Sequence, residues 1–286
     1  MFSLAIFSAL LALCSATPFG FEEAHQVLPQ AQETEAFIVE KVEEKDVVVN
    51  NDVSYGNTAD IAGMTSSTML TCLKKAKYQV VFVRAFNPAG QGSFDSNAAD
   101  TIRYAYNAGL GIEVYMTPQP ASSILAYQQM DMLYNGLTSN GITVRSVWIQ
   151  VTSPANWNKN VNANIDFINN VIARAKQYGL IVGIYTNQYD WSQITGGWNS
   201  LASDILLWYW NVLGPGSSGE TKNTFADFRA FGPFTKASVK QYGQAESVCQ
   251  MILNRDVYAV GIPAVAPAQE KIMLNGEIVV GGLITN

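Results

Sequence analysis

The chain has 286 residues, of which 48% are hydrophobic and only 14% are charged, and its formal net charge is −6. This composition is too apolar for intrinsic disorder, and the length suits a domain with a sizeable buried core. The net negative charge argues against nucleic-acid binding. The densest basic stretch, Lys74-Lys75-Ala76-Lys77, is too short to change this conclusion.

Two segments are predicted to precede the main domain. Residues 1–16 carry no charged side chain and an apolar run too short to span a bilayer, which predicts a secretory signal peptide cleaved after Ala16. Residues 17–54 contain nine acidic and two basic residues, which is typical of a charged spacer or pro-segment. No later segment is long and apolar enough for a membrane span, so we expect a secreted protein without membrane contacts.

Histidine and cysteine are scarce, and this narrows the possible chemistry. His25 is the only histidine and lies in the acidic segment, which excludes a Ser-His-Asp triad and a histidine-ligated zinc site from the main domain. Signal-peptide cleavage would leave Cys72 and Cys249, for which we expect one disulfide in an oxidising compartment; two buried free thiols are the alternative. Two cysteines and no histidine in the main domain argue against a metal site, and the lack of a Gly-rich phosphate loop argues against a nucleotide site. We therefore expect no metal and no cofactor.

From Tyr55 onward, short β-branched and aromatic runs alternate with helical patterns, and Gly109, Gly141 and Gly179 follow three of the helical patterns as expected C-caps. The runs predict strands at Asn57–Ile61, Val80–Val83, Ile112–Tyr115, Val147–Val151, Leu180–Tyr185, Leu206–Trp210, Val239–Tyr242 and Val257–Val260. Eight strands with about five helices predict an α/β fold, an irregular TIM-type (β/α) barrel over residues 55–262. Residues 263–286 are predicted as a hairpin tail turning at Asn275-Gly276.

Aromatic and amide side chains gather near the ends of the predicted strands, where β/α barrels carry their chemistry. Aromatic rings stack on the CH faces of sugars, and amides bond their hydroxyl groups. The alternative is that these aromatic side chains fill the core. The pattern predicts a sugar-binding role for six residues: Tyr115, Trp148, Tyr185, Trp208, Trp210 and Gln241.

Several motifs occur in one order along the chain: Thr71-Cys72-Leu73, Val81–Phe86, Glu113-Val114-Tyr115, Val147-Trp148-Ile149, Gly183–Thr186, Leu207-Trp208-Tyr209, Ser238–Tyr242 and Val248-Cys249. With these motifs the chain resembles the invertebrate, and particularly nematode, lysozyme-like proteins of glycoside hydrolase family 25. The resemblance implies a barrel of eight strands and five helices. It also implies a role in cleaving or recognising the bacterial cell wall.

The catalytic positions implied by the resemblance are largely substituted. Active members resemble Trp-x-Asp-x-Glu on the fourth strand, where this chain has Gln150 and Thr152. Neither side chain can donate a proton near neutral pH, whereas glycosidic cleavage needs a carboxylic acid and a second negative group or nucleophile. The fourth strand supplies neither group.

Three acids remain as catalytic candidates. The first-strand Asp of the family matches Asp60 if residues 56–59 contain an insertion. A later family Asp falls on Asn254, or on Asp256 if the alignment shifts by two residues. Glu113 shares a strand face with Tyr115, so we expect it to point into the barrel mouth. The alternatives are a surface cap for Asp60, a buried Glu113 paired with Arg84 or Arg145, and an exposed Asp256.

Together these observations predict a secreted, monomeric, lysozyme-like protein of innate defence or digestion whose partner is the bacterial cell-wall glycan. We expect it to bind peptidoglycan with weak or lost muramidase activity. An active hydrolase that uses Glu113 with Asp60 or Asp256 is one alternative. A structural role with a vestigial groove is another.

Overall fold

The computed structural model describes residues 54–260 and 278–281. The expected signal peptide, the acidic segment up to residue 53 and the Asn275-Gly276 turn lie outside the described residues.

Eight of the eleven described strands form a closed barrel, and five helices accompany them within the same residues. The strands are β1 (Tyr55–Ile61), β2 (Val80–Asn87), β3 (Ser93–Phe94), β4 (Gly111–Met116), β5 (Ile142–Val144), β6 (Ser146–Gln150), β7 (Ile181–Thr186), β8 (Leu206–Trp210), β9 (Val239–Val248), β10 (Met251–Ala259) and β11 (Ile278–Val280). The helices are α1 (Ser67–Lys75), α2 (Ala98–Asn107), α3 (Ala126–Thr138), α4 (Val161–Gln177) and α5 (Gln188–Thr195).

The barrel order is β1-β10-β9-β8-β7-β6-β4-β2, and β2 closes the ring by pairing with β1. All neighbours are parallel except at β10, which is antiparallel to both β1 and β9. The predicted α/β barrel of eight strands and five helices is therefore confirmed. β9 continues past its predicted end at Tyr242, and β10 begins at Met251, before its predicted start at Val257, because the two strands form one long hairpin that turns at Cys249 and Gln250.

Local sequence explains where the elements begin and end. Ser66 caps α1 by accepting a hydrogen bond from the Met69 backbone N–H, and Asn160 caps α4 in the same way. Gly109, Gly141 and Gly179 have φ angles of 70–75° after α2, α3 and α4, as the expected C-caps require.

The barrel has a packed aromatic interior rather than a pore. Side chains alternate along each strand between the helical layer and the interior. Trp208 lies at the centre of the interior cluster, with its ring centroid 4.1 Å from that of Tyr185 and 4.5 Å from that of Phe82. The other members of this cluster are Val80, Tyr115, Trp148 and Val239.

Two further connections secure the fold. Cys72 and Cys249 form the expected disulfide, which joins α1 to the turn of the β9–β10 hairpin. At the other end of the barrel, β11 pairs in parallel with β5, just before β6 begins, and Gly281 N–H donates to the Ile112 carbonyl. Within the described residues, no helix combines the length and the apolar character needed to cross a membrane.

Candidate active site

Three of the cavities formed by the described residues lie around the barrel mouth, where the parallel strands end. The Gln150 cavity, of about 580 Å³, lies where β2, β4 and β6 end, and Thr152 and Trp157 also line it. The Trp210 cavity, of about 540 Å³, lies where β7 and β8 end. The Asp60 cavity, of about 450 Å³, lies between the end of β1 and the β9–β10 hairpin.

The Gln150 cavity contains a neutral hydrogen-bonded chain. Thr117 Oγ1 donates to Gln150 Oε1 at 2.6 Å, and Gln150 Nε2 lies 3.0 Å from Thr152 Oγ1. Trp157 Nε1 donates to the Thr152 carbonyl at 2.9 Å, which holds the strand end in place. None of the described residues that line this cavity carries a charge, so its lining offers hydrogen bonds without a general acid.

Glu113 does not reach the mouth, which corrects the sequence-based expectation. Its side chain is 0% exposed and accepts hydrogen bonds from Ser146 Oγ at 2.6 Å and Trp148 Nε1 at 3.0 Å. Because Ser146 is the first residue of β6, these contacts place the carboxyl group near the end of the barrel opposite the mouth. Glu113 shares the inward face with Tyr115 but lies two residues, or about 6.6 Å, further from the mouth.

Four of the predicted sugar-binding aromatic residues are core residues instead. Tyr115, Trp148, Tyr185 and Trp208 are at most 5% exposed, and their rings pack within the interior cluster. Gln241 is also fully buried. The rings of the four aromatic residues pack against one another, so their faces are not available to stack on a sugar as the sequence pattern suggested.

Trp210 differs from these four aromatic residues because it is half-buried and lines the Trp210 cavity. Its indole Nε1 donates to Asp190 Oδ2 at 3.0 Å, which fixes the ring at the cavity wall. Trp210 is therefore the one predicted aromatic residue that the described structure places where a sugar can contact it.

Asp60 and Asp256 form a buried carboxyl pair beneath the Asp60 cavity. Asp60 accepts hydrogen bonds from Gln241 Nε2 at 2.9 Å and Asn254 Nδ2 at 3.0 Å. Asp256 accepts from the Asp60 backbone N–H at 3.1 Å and from Trp208 Nε1 at 2.9 Å. Because both groups are buried and the charge of Asp60 disfavours ionisation of Asp256, the pair retains a proton more readily than isolated carboxyl groups do.

The ionisation of this pair follows from its burial. Burial raises the pKa of Asp60 to about 6, although its hydrogen bonds from Gln241 and Asn254 oppose the shift. Burial and the neighbouring charge of Asp60 raise the pKa of Asp256 well above its ordinary value. Asp60 lines a mouth cavity, whereas Asp256 is fully enclosed, which contradicts the alternative that Asp256 is exposed.

The two possible alignments of the later family Asp correspond to two depths in the barrel. Asn254 lies opposite Asp60 in the β1–β10 register and bonds to it directly, whereas Asp256 lies opposite Thr58, further inside. A carboxyl group at position 256 can therefore contact Asp60 but not the cavity, because Asn254 occupies the outer position.

Asp190 is a buried acid that the sequence patterns do not reveal. Asp190 lies in the first turn of α5 and accepts hydrogen bonds from Trp210 Nε1 and from the backbone N–H of Ser153. Burial raises its pKa. Because Ser153 lines the Gln150 cavity and Trp210 lines the next one, Asp190 joins the walls of both cavities. No motif marks this residue, and only its contacts reveal it.

Asp227, on the long loop between β8 and β9, is also not revealed by the sequence patterns. It accepts hydrogen bonds from Tyr209 Oη at 2.8 Å, Asn211 Nδ2 at 2.5 Å and Lys240 Nζ at 2.7 Å. Burial opposes the ionisation of Asp227, but these three donors outweigh it and lower the pKa of the carboxyl group. Asp227 is therefore a fixed carboxylate that anchors the loop to the barrel.

Comparison with known proteins agrees with the described fold. Residues 51–242 match the model of a protein family described as "Lysozyme-like protein 1". "Lysozyme-like protein 2" of Caenorhabditis elegans is 60% identical over 98% of both chains. "Probable GH family 25 lysozyme 2" of Dictyostelium discoideum is 31% identical over 72% of this chain and 92% of its own.

Solved structures extend this comparison to the fold. A bacterial lysozyme from Streptomyces coelicolor aligns with a TM-score of 0.56 and 22% identity over 72% of this chain and 93% of its own. A family GH25 lysozyme from Aspergillus fumigatus aligns with a TM-score of 0.54 and 13% identity over 72% and 94%. At these identities the structures support the barrel architecture alone.

Proposed function

The chain belongs to the lysozyme-like proteins of glycoside hydrolase family 25, and from this premise we propose that it binds bacterial peptidoglycan with weak or lost muramidase activity. The observation that carries the proposal is the neutral pair Gln150 and Thr152 in the Gln150 cavity. Relatives named as lysozymes support a cell-wall glycan as the ligand.

The substitutions affect catalysis more than binding. A positioned general acid contributes about 10²–10⁴-fold to the rate, and neither an amide nor a hydroxyl group can replace it near neutral pH. Gln150 and Thr152 can still exchange hydrogen bonds with sugar hydroxyl and acetamido groups. The half-buried Trp157 in the same cavity adds an aromatic surface that suits a sugar ring.

The site of action is part of the same proposal. The uncharged apolar residues 1–16 and the disulfide between Cys72 and Cys249 both suit the secretory pathway, where oxidising conditions keep disulfides formed. We therefore place the protein outside the cell, in defence against bacteria or in their digestion.

A second candidate, an active hydrolase, rests on Asp60 rather than Glu113. Glu113 is enclosed, whereas Asp60 lines a mouth cavity and holds a pKa of about 6, within the range useful for a general acid. If purified protein hydrolyses peptidoglycan and Asp60→Asn abolishes that activity without loss of the fold, this candidate replaces the first. Glu113→Gln would then leave the hydrolysis unchanged.

The deciding experiment measures binding to insoluble peptidoglycan and clearing of a cell-wall suspension on the same preparations. We expect the wild type to bind without clearing, and Gln150→Asp/Thr152→Glu to gain clearing with unchanged binding. Gln150→Asn/Thr152→Gln is the matched control, because its side chains have the same shape as those of Gln150→Asp/Thr152→Glu but carry no charge. Clearing by the wild type at the rate of an ordinary lysozyme would refute lost activity, and absence of binding would favour a vestigial groove.

A further inference from the structure

The Trp210 cavity has a different chemical character from the Gln150 cavity. Aromatic side chains form much of its lining, including Trp210, Tyr189 and Phe228, and it also contains two charged residues, Asp227 and Arg229. The Gln150 cavity has no charged lining among its described residues. A ligand that spans the mouth therefore meets a neutral amide surface at one cavity and a charged aromatic surface at the next.

The charge of Asp227 is already balanced inside the protein. Lys240 is fully buried, and its ammonium group contacts Asp227 Oδ2 at 2.7 Å and the carbonyl of Lys222 at 2.6 Å. Tyr209 and Asn211 donate to the same carboxylate. The hydrogen bonds of Asp227 therefore hold the β8–β9 loop in place. Of the two charged residues in the cavity lining, Arg229 is the one that a ligand can contact.

Arg229 is exposed, and part of its guanidinium group is available to donate hydrogen bonds to a ligand. Its Nη1 donates to the carbonyls of Ala226 at 3.1 Å and Phe228 at 2.8 Å, which orients the guanidinium group against its own loop. Among the described residues, no carboxylate forms an ion pair with it. A guanidinium group carries five N–H donors in a fork that matches a carboxylate, so most of its capacity remains free.

We propose that the Trp210 cavity binds a carboxylate of the peptide substituents on the wall glycan, with Arg229 as the group that contacts it. The inference rests on the proposed function and deepens it, because it distinguishes peptide-bearing peptidoglycan from neutral amino-sugar polymers. A neutral polysaccharide has no group that needs a guanidinium partner. Peptidoglycan strands carry short peptides with free carboxylates, and Trp210 and Phe228 provide apolar surface for the peptide stem.

Isothermal titration calorimetry with two soluble probes tests this inference. The first probe is a muropeptide with free carboxylates, and the second is the same muropeptide with its carboxylates converted to amides. We expect the wild type to bind the first probe about tenfold more tightly, as one charge-assisted contact implies. Arg229→Gln should bind both probes equally, whereas Lys75→Gln, which removes an exposed charge on α1, should keep the preference.

The outcomes separate the two proposals. Equal affinity of the wild type for both probes, or a preference that survives in Arg229→Gln, would overturn the carboxylate site while leaving glycan binding intact. Failure of the wild type to bind either probe would remove the proposed function and this inference with it. Since Arg229 is exposed, thermal melts of the variants should match the wild type, which keeps a folding defect from imitating the result.

Discussion

The backbone N–H of Asp60 donates to the Oδ2 atom of Asp256 at 3.1 Å, across neighbouring antiparallel strands inside the barrel. Since the two carboxyl groups are buried and their charges repel each other, ionising both of them is unfavourable. This pair therefore couples the stability of the barrel to pH.

We predict that the carboxyl pair makes the fold less stable as pH rises from about 4 to 7. In the unfolded chain both groups ionise near pH 3.9, whereas the folded-state pKa of Asp60 is about 6 and that of Asp256 is also raised. A group with a raised folded pKa contributes stability that is complete below the unfolded pKa and is lost as pH passes through the folded pKa. The loss from Asp60 alone should be about 3 kcal/mol.

Urea denaturation at several pH values measures this effect. Asp256→Asn removes one of the two charges, so its free energy of unfolding should decline less steeply with pH than that of the wild type. The slope is compared rather than the absolute stability, because asparagine keeps only one acceptor oxygen for two donors, the Asp60 N–H and Trp208 Nε1. If the free energy of unfolding falls equally steeply with pH in both proteins, the proposed effect of the buried carboxyl pair is contradicted.

The disulfide between Cys72 and Cys249 should contribute strongly to stability. The two residues are 177 positions apart, so cross-linking them restricts the unfolded chain severely, and its removal should cost about 2–5 kcal/mol. The measurement is urea denaturation of the wild type with and without reductant. Cys72→Ser/Cys249→Ser serves as the control, since reductant should not change its midpoint. An unchanged midpoint for the reduced wild type would argue against this contribution.

Lys240→Met should destabilise the protein by about 3–5 kcal/mol, because it leaves the half-buried Asp227 carboxylate without its ion partner. The same change should make the β8–β9 loop, residues 211–238, more sensitive to proteases, since Lys240 also bonds the carbonyls of Lys222 and Thr224. Lys176→Met is the matched control: its exposed pair with Asp204 should contribute less than about 1 kcal/mol. Similar losses in both variants would refute the anchoring role.

Gly183→Ala should disturb the aromatic interior. A Cβ atom at position 183 would lie 2.1 Å from the Trp148 ring, so the indole must move and the free energy of unfolding should fall by about 1–3 kcal/mol. Near-UV circular dichroism would report the altered packing of Trp148. At Gly63 an added Cβ meets nothing within 4 Å, so Gly63→Ala should leave both the spectrum and the stability nearly unchanged.

The strand pattern was predictable because it depends on local sequence. The run Val80–Val83 lies within β2, and Gly109, Gly141 and Gly179 end three helices with positive φ. The length of the β9–β10 hairpin was not predictable in the same way. Its turn at Cys249 and Gln250 contains no glycine or proline signal, and both residues adopt positive φ there.

For the site, the sequence by itself determined that positions 150 and 152 carry no carboxyl group: Gln150 and Thr152 cannot act as general acids, wherever they lie. Only the tertiary structure decided which polar groups reach the mouth. Glu113 and Trp148 are enclosed, Asp60 lines a cavity, and Asp190 joins two cavity walls. The physical reason is that alternation along a strand specifies which side of the barrel wall a residue faces, whereas its depth and partners depend on the register between strands and on how the barrel closes.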